Sequence, residues 1–179
     1  SFFKERLNLD CRNSVHPFGF RVIPACPLSD RESNIMCNVN RLYTSTTATH
    51  VLFTEDDWHF YSSALKTDLF ILIDILQREH TASTIQLTGL NTPLRYNRSK
   101  GLKTDGPVKW AWTNAPAGPG GFYGAWTNNP HVGRSALIPP LLKNEMHTSM
   151  ALIQAGFFNV QTVRRYVIHT GGSNHIMAP

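Results

Sequence analysis

An α/β layered domain is the fold class this sequence predicts, and three observations carry the prediction. Leu65, Leu69, Leu72, Ile73 and Leu76 fall at i, i+4, i+7, i+8 and i+11, the period of an amphipathic helix. Residues 157–169 are rich in β-branched and aromatic side chains, as strands are. Strand-like segments stand on both sides of helical ones, which implies a layered mixed β-sheet. The expected form is a sheet of about five strands with two main helices. An irregular N-terminal arm over 1–33 precedes a single domain over 34–179, with a long irregular insertion at about 91–144.

In chain order, Pro17, Pro24 and Pro27 break the first residues into extended pieces. Phe2, Phe3, Phe18, Phe20 and Val22 argue against a fully solvated tail, so this arm wraps a partner or packs on the domain. Residues 35–46 and 50–54 read as two strands around a Thr-rich break. Residues 58–62 read as a third strand after the acidic turn Glu55-Asp56-Asp57. Consecutive strands pair antiparallel in the simplest arrangement. The helix over 65–80 follows, capped by Ser62 or Ser63. Residues 84–89 form a short strand with Ile85 and Leu87 on one face.

Residues 91–144 break the rhythm with repeated glycine and proline and three tryptophans, Trp110, Trp112 and Trp126. So long a connection is usually functional or docked on something. A second helix runs over 144–156, with an N-cap at Asn144 and a stop glycine at Gly156. One strand then covers 157–169. Arg164 and Arg165, adjacent on it, point to opposite faces.

A hydrophobic content of 41% supports a core, and 179 residues suit one domain. The net charge of +5 allows an anionic partner. Its distribution says more. Residues 91–134 carry Arg95, Arg98, Lys100, Lys103, Lys109 and Arg134 against Asp105 alone, whereas residues 40–90 are net acidic. Cys11, Cys26 and Cys37 form an odd set without C-x-x-C, so reduced thiols in an intracellular compartment are expected. Their spacing with His16 is too irregular for a zinc site. No H-E-x-x-H, P-loop or nucleophile elbow is present, and no apolar run is long enough to span a membrane. Neither catalytic residues, metal nor cofactor are expected.

Several segments together resemble the universal small-subunit ribosomal protein eleven family, the protein of the ribosomal platform. Thr46-Thr47-Ala48-Thr49-His50-Val51-Leu52-Phe53-Thr54-Glu55-Asp56 is similar to that family's Thr-Phe-Asn-Asn-Thr segment and the strand ending in Thr-Asp. Phe60-Tyr61-Ser62-Ser63-Ala64 is similar to its aromatic followed by Ser-Ser-Ala. Ala151-Leu152-Ile153-Gln154-Ala155-Gly156-Phe157 resembles its Ala-Leu-x-x-Ala-Gly-Phe. Ile168-His169-Thr170-Gly171-Gly172 resembles the strand ending in Pro-His-Asn-Gly. The likeness covers about half of the chain, by order and spacing. The family's Gly- and Arg-rich loop before the first helix and its basic C-terminal tail have no counterpart, and its Gly-Pro-Gly-x-Gly-Arg turn is not intact, with Gly118-Pro119-Gly120-Gly121 or Gly133-Arg134-Ser135 as its displaced remnant.

The resemblance implies a ribonuclease H-like topology and a structural role in the small ribosomal subunit. The partners it implies are ribosomal RNA and neighbouring small-subunit proteins, with no membrane and no homo-oligomer. The departures suggest a divergent mitochondrial ribosome in the matrix, with a cytoplasmic ribosome as the alternative.

RNA contact is expected from three groups of residues. In the insertion, Arg95, Arg98, Lys100, Lys103 and Lys109 track a phosphate backbone. Trp110 and Trp112, with Phe122, Tyr123 and Trp126, offer rings to unpaired bases at roughly 1–3 kcal/mol each. At the Thr-rich junction, Thr46, Thr47 and Thr49 offer hydroxyls beside His50, while Arg134 belongs with the basic residues of the insertion. At the C-terminal end stand Arg164, Arg165, His169, Thr170, Gly171, Gly172 and His175. A competing expectation is a ribonuclease H-like metal-dependent nuclease using Glu55, Asp56, Asp57, Asp68 and Asp74, which requires carboxylates converging on the sheet. A viral or other assembly protein is a third, and predicts an all-β sandwich.

Overall fold

The computed structural model describes residues 26, 31–55, 57–60, 62–89, 100–113, 125–127, 129–137 and 145–170. Helix α1 (Arg31–Ser45) leads into strand β1 (His50–Phe53) and the short β2 (Trp58–Phe60). Helix α2 (Ser62–Arg78) and strand β3 (Ala82–Gln86) follow, then the hairpin β4 (Leu102–Asp105) and β5 (Val108–Trp112). Strand β6 (His131–Arg134), helix α3 (Glu145–Gln154), β7 (Phe158–Thr162) and β8 (Val167–His169) complete the order.

The main sheet has six strands in the order β1-β6-β3-β7-β5-β4, and β2 and β8 form a separate two-stranded sheet. Only β3 and β7 pair in parallel; the other described pairs are antiparallel. The mixed α/β sheet is therefore present, with more strands and one more helix than the sequence predicts.

Helix α2 forms where its period predicts. Leu65, Leu72, Ile75 and Leu76 are buried on one stripe. They cover the sheet face made by Ile85, Val132, Val160, Trp110 and Trp112. The other face meets a second cluster. Met36, Val39 and Tyr43 of α1 pack there with Phe53, Trp126 and Leu152.

Four expectations about the elements are corrected. Residues 35–45 of the expected first strand are helix instead. Met36, Val39 and Tyr43 recur at helical spacing, and burial against the sheet outweighs the weak helix preference of the intervening asparagines. This helix also begins inside the expected arm, most of which lies outside the described residues. Next, β1 and β2 do not pair with their chain neighbours. They pair with β6 and β8, whose sequence positions are distant.

The insertion at 91–144 is not wholly irregular, because β4, β5 and β6 within it are strands of the main sheet. Finally, residues 157–169 are two strands in two sheets. The chain turns at Val163–Tyr166, where the Thr162 hydroxyl donates to the Arg164 carbonyl at 2.8 Å. Arg164 and Arg165 thus sit in a bend, outside any strand.

Cys26 and Cys37 form a disulfide with a Cα–Cα distance of 6.1 Å. This overturns the expectation of reduced thiols for these two residues. It ties the segment before α1 to that helix, and the Cys26 amide donates to Asn38 Oδ1 at 2.8 Å. Helix α3 ends as its glycine predicts. Gly156 has φ +84°, its amide donates to the Ile153 carbonyl, and the Phe157 amide donates to that of Leu152. The expected cap Asn144 lies outside the described residues.

Candidate functional site

The last turn of α1 is closed by local side-chain bonds. The Thr44 hydroxyl donates to the Asn40 carbonyl at 2.7 Å, and that of Ser45 to Leu42 at 3.0 Å. The chain then makes a turn in which the Ala48 amide donates to Thr46 Oγ1 at 3.1 Å. Residues just after β6 hold this turn in place. The Ser135 amide donates to the Thr49 carbonyl, and its hydroxyl donates to that of Ala48.

The result is an open groove of about 590 Å³ beside the β1–β6 edge. It is lined by Thr46, Thr47, Thr49, His50 and Arg134, together with Tyr43, Gln77 and Ser135. Five of the residues expected to contact RNA therefore meet in one place. Among the described lining residues Arg134 is the cation, and none is a carboxylate.

His50 and Arg134 are direct cross-strand partners, so their side chains leave the same face of the sheet. The Arg134 guanidinium donates to the Leu76 and Glu79 carbonyls, which caps the end of α2. Partial burial and the neighbouring Arg134 charge hold the His50 imidazole below its ordinary range. Its Nδ1 lies 3.0 Å from Thr49 Oγ1.

Tyr43 belongs to the wall and to the core at once. Its hydroxyl lies 2.7 Å from Nε2 of the buried His131, whose Nδ1 lies 2.8 Å from the Asn129 carbonyl. The carbonyl accepts only, so Nδ1 carries the proton and Nε2 accepts from Tyr43. Burial pushes His131 down to about 4.

The other expected contacts lie elsewhere. Trp110 and Trp112 are buried under α2, where Trp110 Nε1 donates to Asp105 Oδ2 at 2.6 Å. They are not available to stack on bases, which corrects that expectation; Trp126 is fully buried as well. Lys103 pairs with Glu79 at 2.5 Å, and Lys100 lies 4.2 Å above the Trp112 ring.

A second group gathers at the opposite end of the sheet. Lys109 is exposed there, and its carbonyl accepts from the Val163 amide, beside Arg164 and Arg165. Arg165 Nε donates to the Thr88 carbonyl, and Arg164 lies 3.9 Å from the buried Asp68. His169 pairs with Asp57 at 2.8 Å, while the amide and hydroxyl of Thr170 donate to the Asp57 carbonyl. Arg95, Arg98, Gly171, Gly172 and His175 lie outside the described residues.

Among the described residues the acidic set does not converge, and Asp56 lies outside them. Asp68 accepts from Tyr166 at 2.7 Å, Asp74 pairs with Arg78 at 3.4 Å, and Asp57 is held by His169. Among the described residues no three His, Cys, Asp or Glu side chains are grouped to hold a metal. No described helix is long and apolar enough to cross a membrane.

Sequence reasoning missed Tyr43, Gln77 and Ser135. Tyr43 carried a usable signal, its helical spacing from Met36; Gln77, an exposed polar residue near the end of a helix, carried none. In comparison with protein-family models, curated proteins and solved structures, the chain matches none.

Proposed function

We propose that this chain is a structural component of the small ribosomal subunit that binds ribosomal RNA and touches neighbouring subunit proteins. The observation that carries the reading is the groove, which gathers Thr46, Thr47, Thr49, His50 and Arg134 on a surface without a described carboxylate. Hydroxyls and a guanidinium are the groups that position a phosphate backbone. The basic end with Lys109, Arg164 and Arg165 supports a second stretch of contact. A ribonuclease H-like topology is part of the same proposal, supported by the parallel β3–β7 pair with α3 leading into β7. The nuclease alternative has less support, because the described carboxylates are engaged separately.

Sedimentation of the native protein from a gentle lysate tests the reading. Co-migration with a small ribosomal subunit, lost after ribonuclease treatment, is expected. A slow monomer indifferent to ribonuclease would sink it.

For the compartment, one observation favours a second reading. Disulfides persist in oxidising environments and are rare in reduced ones. The Cys26–Cys37 bond thus favours an oxidising location over the mitochondrial matrix or cytoplasm in which the ribosomal proposal sets the chain. Alkylation of thiols at the moment of lysis, followed by mass spectrometry, decides between them. Reduced Cys26 and Cys37 fit the ribosomal compartments, and an intact bond fits the second reading.

A further inference from the structure

The groove beside β1 and β6 has unused donors. Arg134 reaches the α2 carbonyls through one terminal nitrogen, so its Nε and second terminal nitrogen still have protons to offer. Among the described residues, the side chains of Thr47 and Gln77 make no hydrogen bond and face the same space. Each side chain of this group offers a donor, and Arg134 supplies a positive charge. Such a set fits an anion with several acceptor oxygens.

We propose that this groove binds a phosphate group between Arg134 and the Thr47 hydroxyl, and that His50 takes up a proton from solvent as the phosphate enters. The inference rests on the RNA reading only for the source of the phosphate, which is either a nucleic-acid diester or a free ion. With the groove empty, burial and the Arg134 charge both favour the neutral form of His50. A phosphate neutralises the field of Arg134 and gives the imidazolium an acceptor, which favours the charged ring. Binding and protonation are then linked, and each strengthens the other.

The other groups around His50 do not supply this response. Tyr43 from α1 is held neutral by burial. Helix α2 contributes the uncharged Gln77, while Arg78 is engaged with Asp74 and Asp105, and Glu79 with Lys103.

The test uses the full chain with dimethyl phosphate, inorganic phosphate and a short single-stranded RNA as probes. Dimethyl phosphate keeps one negative charge throughout, so any pH dependence belongs to the protein. The His50 ring, followed by NMR during a pH titration, should titrate at higher pH when dimethyl phosphate is present. Affinity should be about threefold tighter at pH 5.5 than at pH 7.5. His50→Gln should remove that difference. Thr47→Ala, at an exposed residue, should weaken binding about threefold and leave the unfolding midpoint unchanged.

A His50 titration indifferent to every probe overturns the inference, as does a Thr47→Ala chain that binds like its parent. If RNA binds while His50 does not respond, the RNA reading survives and this site fails. If the two small phosphates act on His50 and RNA does not bind the chain at all, the site stands as one for a free phosphate and the RNA reading fails.

Discussion

His131 is the residue whose chemistry reaches furthest into stability. It is fully buried, stacked on Phe53 at 5.1 Å and bonded to Tyr43. Its folded pKa of about 4 lies below the unfolded value of 6.5. Between those values the unfolded chain binds more protons, so stability is present above pH 6.5 and is lost as pH falls toward 4. The total is about 3 kcal/mol, and about 2 of it should be gone at pH 5. His50, also held low, acts in the same direction. Urea unfolding at pH 7 and pH 5 measures the difference, and His131→Gln should flatten most of it. Tyr43→Phe removes the donor to a buried acceptor and should cost about 1–3 kcal/mol at pH 7. A variant as stable as the parent would mean that the pair contributes nothing.

Two glycines at the residue scale separate strain from crowding. Gly89 and Gly156 both have positive φ, at 78° and 84°. A Cβ at Gly156 meets nothing within 4 Å, whereas one at Gly89 falls 3.0 Å from the Arg165 Cβ. Gly156→Ala should cost about 1 kcal/mol through strain alone. Gly89→Ala should cost more, because the Val163–Tyr166 bend must also move. Equal losses in thermal unfolding would contradict the contact.

At the scale of elements, the β4–β5 hairpin decides what its aromatic residues do. Alternation places Val108, Trp110 and Trp112 on the α2 face and Lys109 on the other. Lys103 and Asp105 then reach back to Glu79 and Arg78 at the end of α2. Trp110 is thus a core residue with a satisfied indole. Trp110→Ala should lower stability by about 3–5 kcal/mol, as read by chemical denaturation. Weakened RNA binding in a Trp110→Ala chain that stays as stable as the parent would contradict the burial. The disulfide acts on α1 in a similar structural way. Cys26 and Cys37 are 11 residues apart. Reducing the bond should cost about 2–3 kcal/mol by the loop-closure estimate.

For the whole molecule, the sheet separates the two groups of expected RNA contacts. Thr46–Thr49, His50 and Arg134 lie at the end where β3 begins, and Lys109, Arg164 and Arg165 lie where β3 and β7 finish. Five residues of strand separate them by about 15 Å along the strand direction, and β3 lies between them across the sheet. Contacts so placed suit two stretches of backbone better than one point. Replacing Lys109, Arg164 and Arg165 by Ala should weaken RNA binding and lower the slope of affinity against salt by about 2. An unchanged slope in an anisotropy titration would remove this end from the interface.

The sequence by itself determined those features that rest on local rules. The apolar stripe of α2 appears in the chain because helical period is a property of neighbours. Gly156 announced the end of α3 because few other residues accept its φ. Thr46, Thr47, Thr49, His50 and Arg134 were nameable singly from residue type. Their meeting was not, because the partner of β1 is β6, some eighty residues on. Distant pairing likewise put Trp110 inside and split residues 157–169 between two sheets, while burial against the sheet made residues 31–45 a helix and brought Cys37 to Cys26. Burial is settled by which surfaces meet, and only the tertiary structure brings them together.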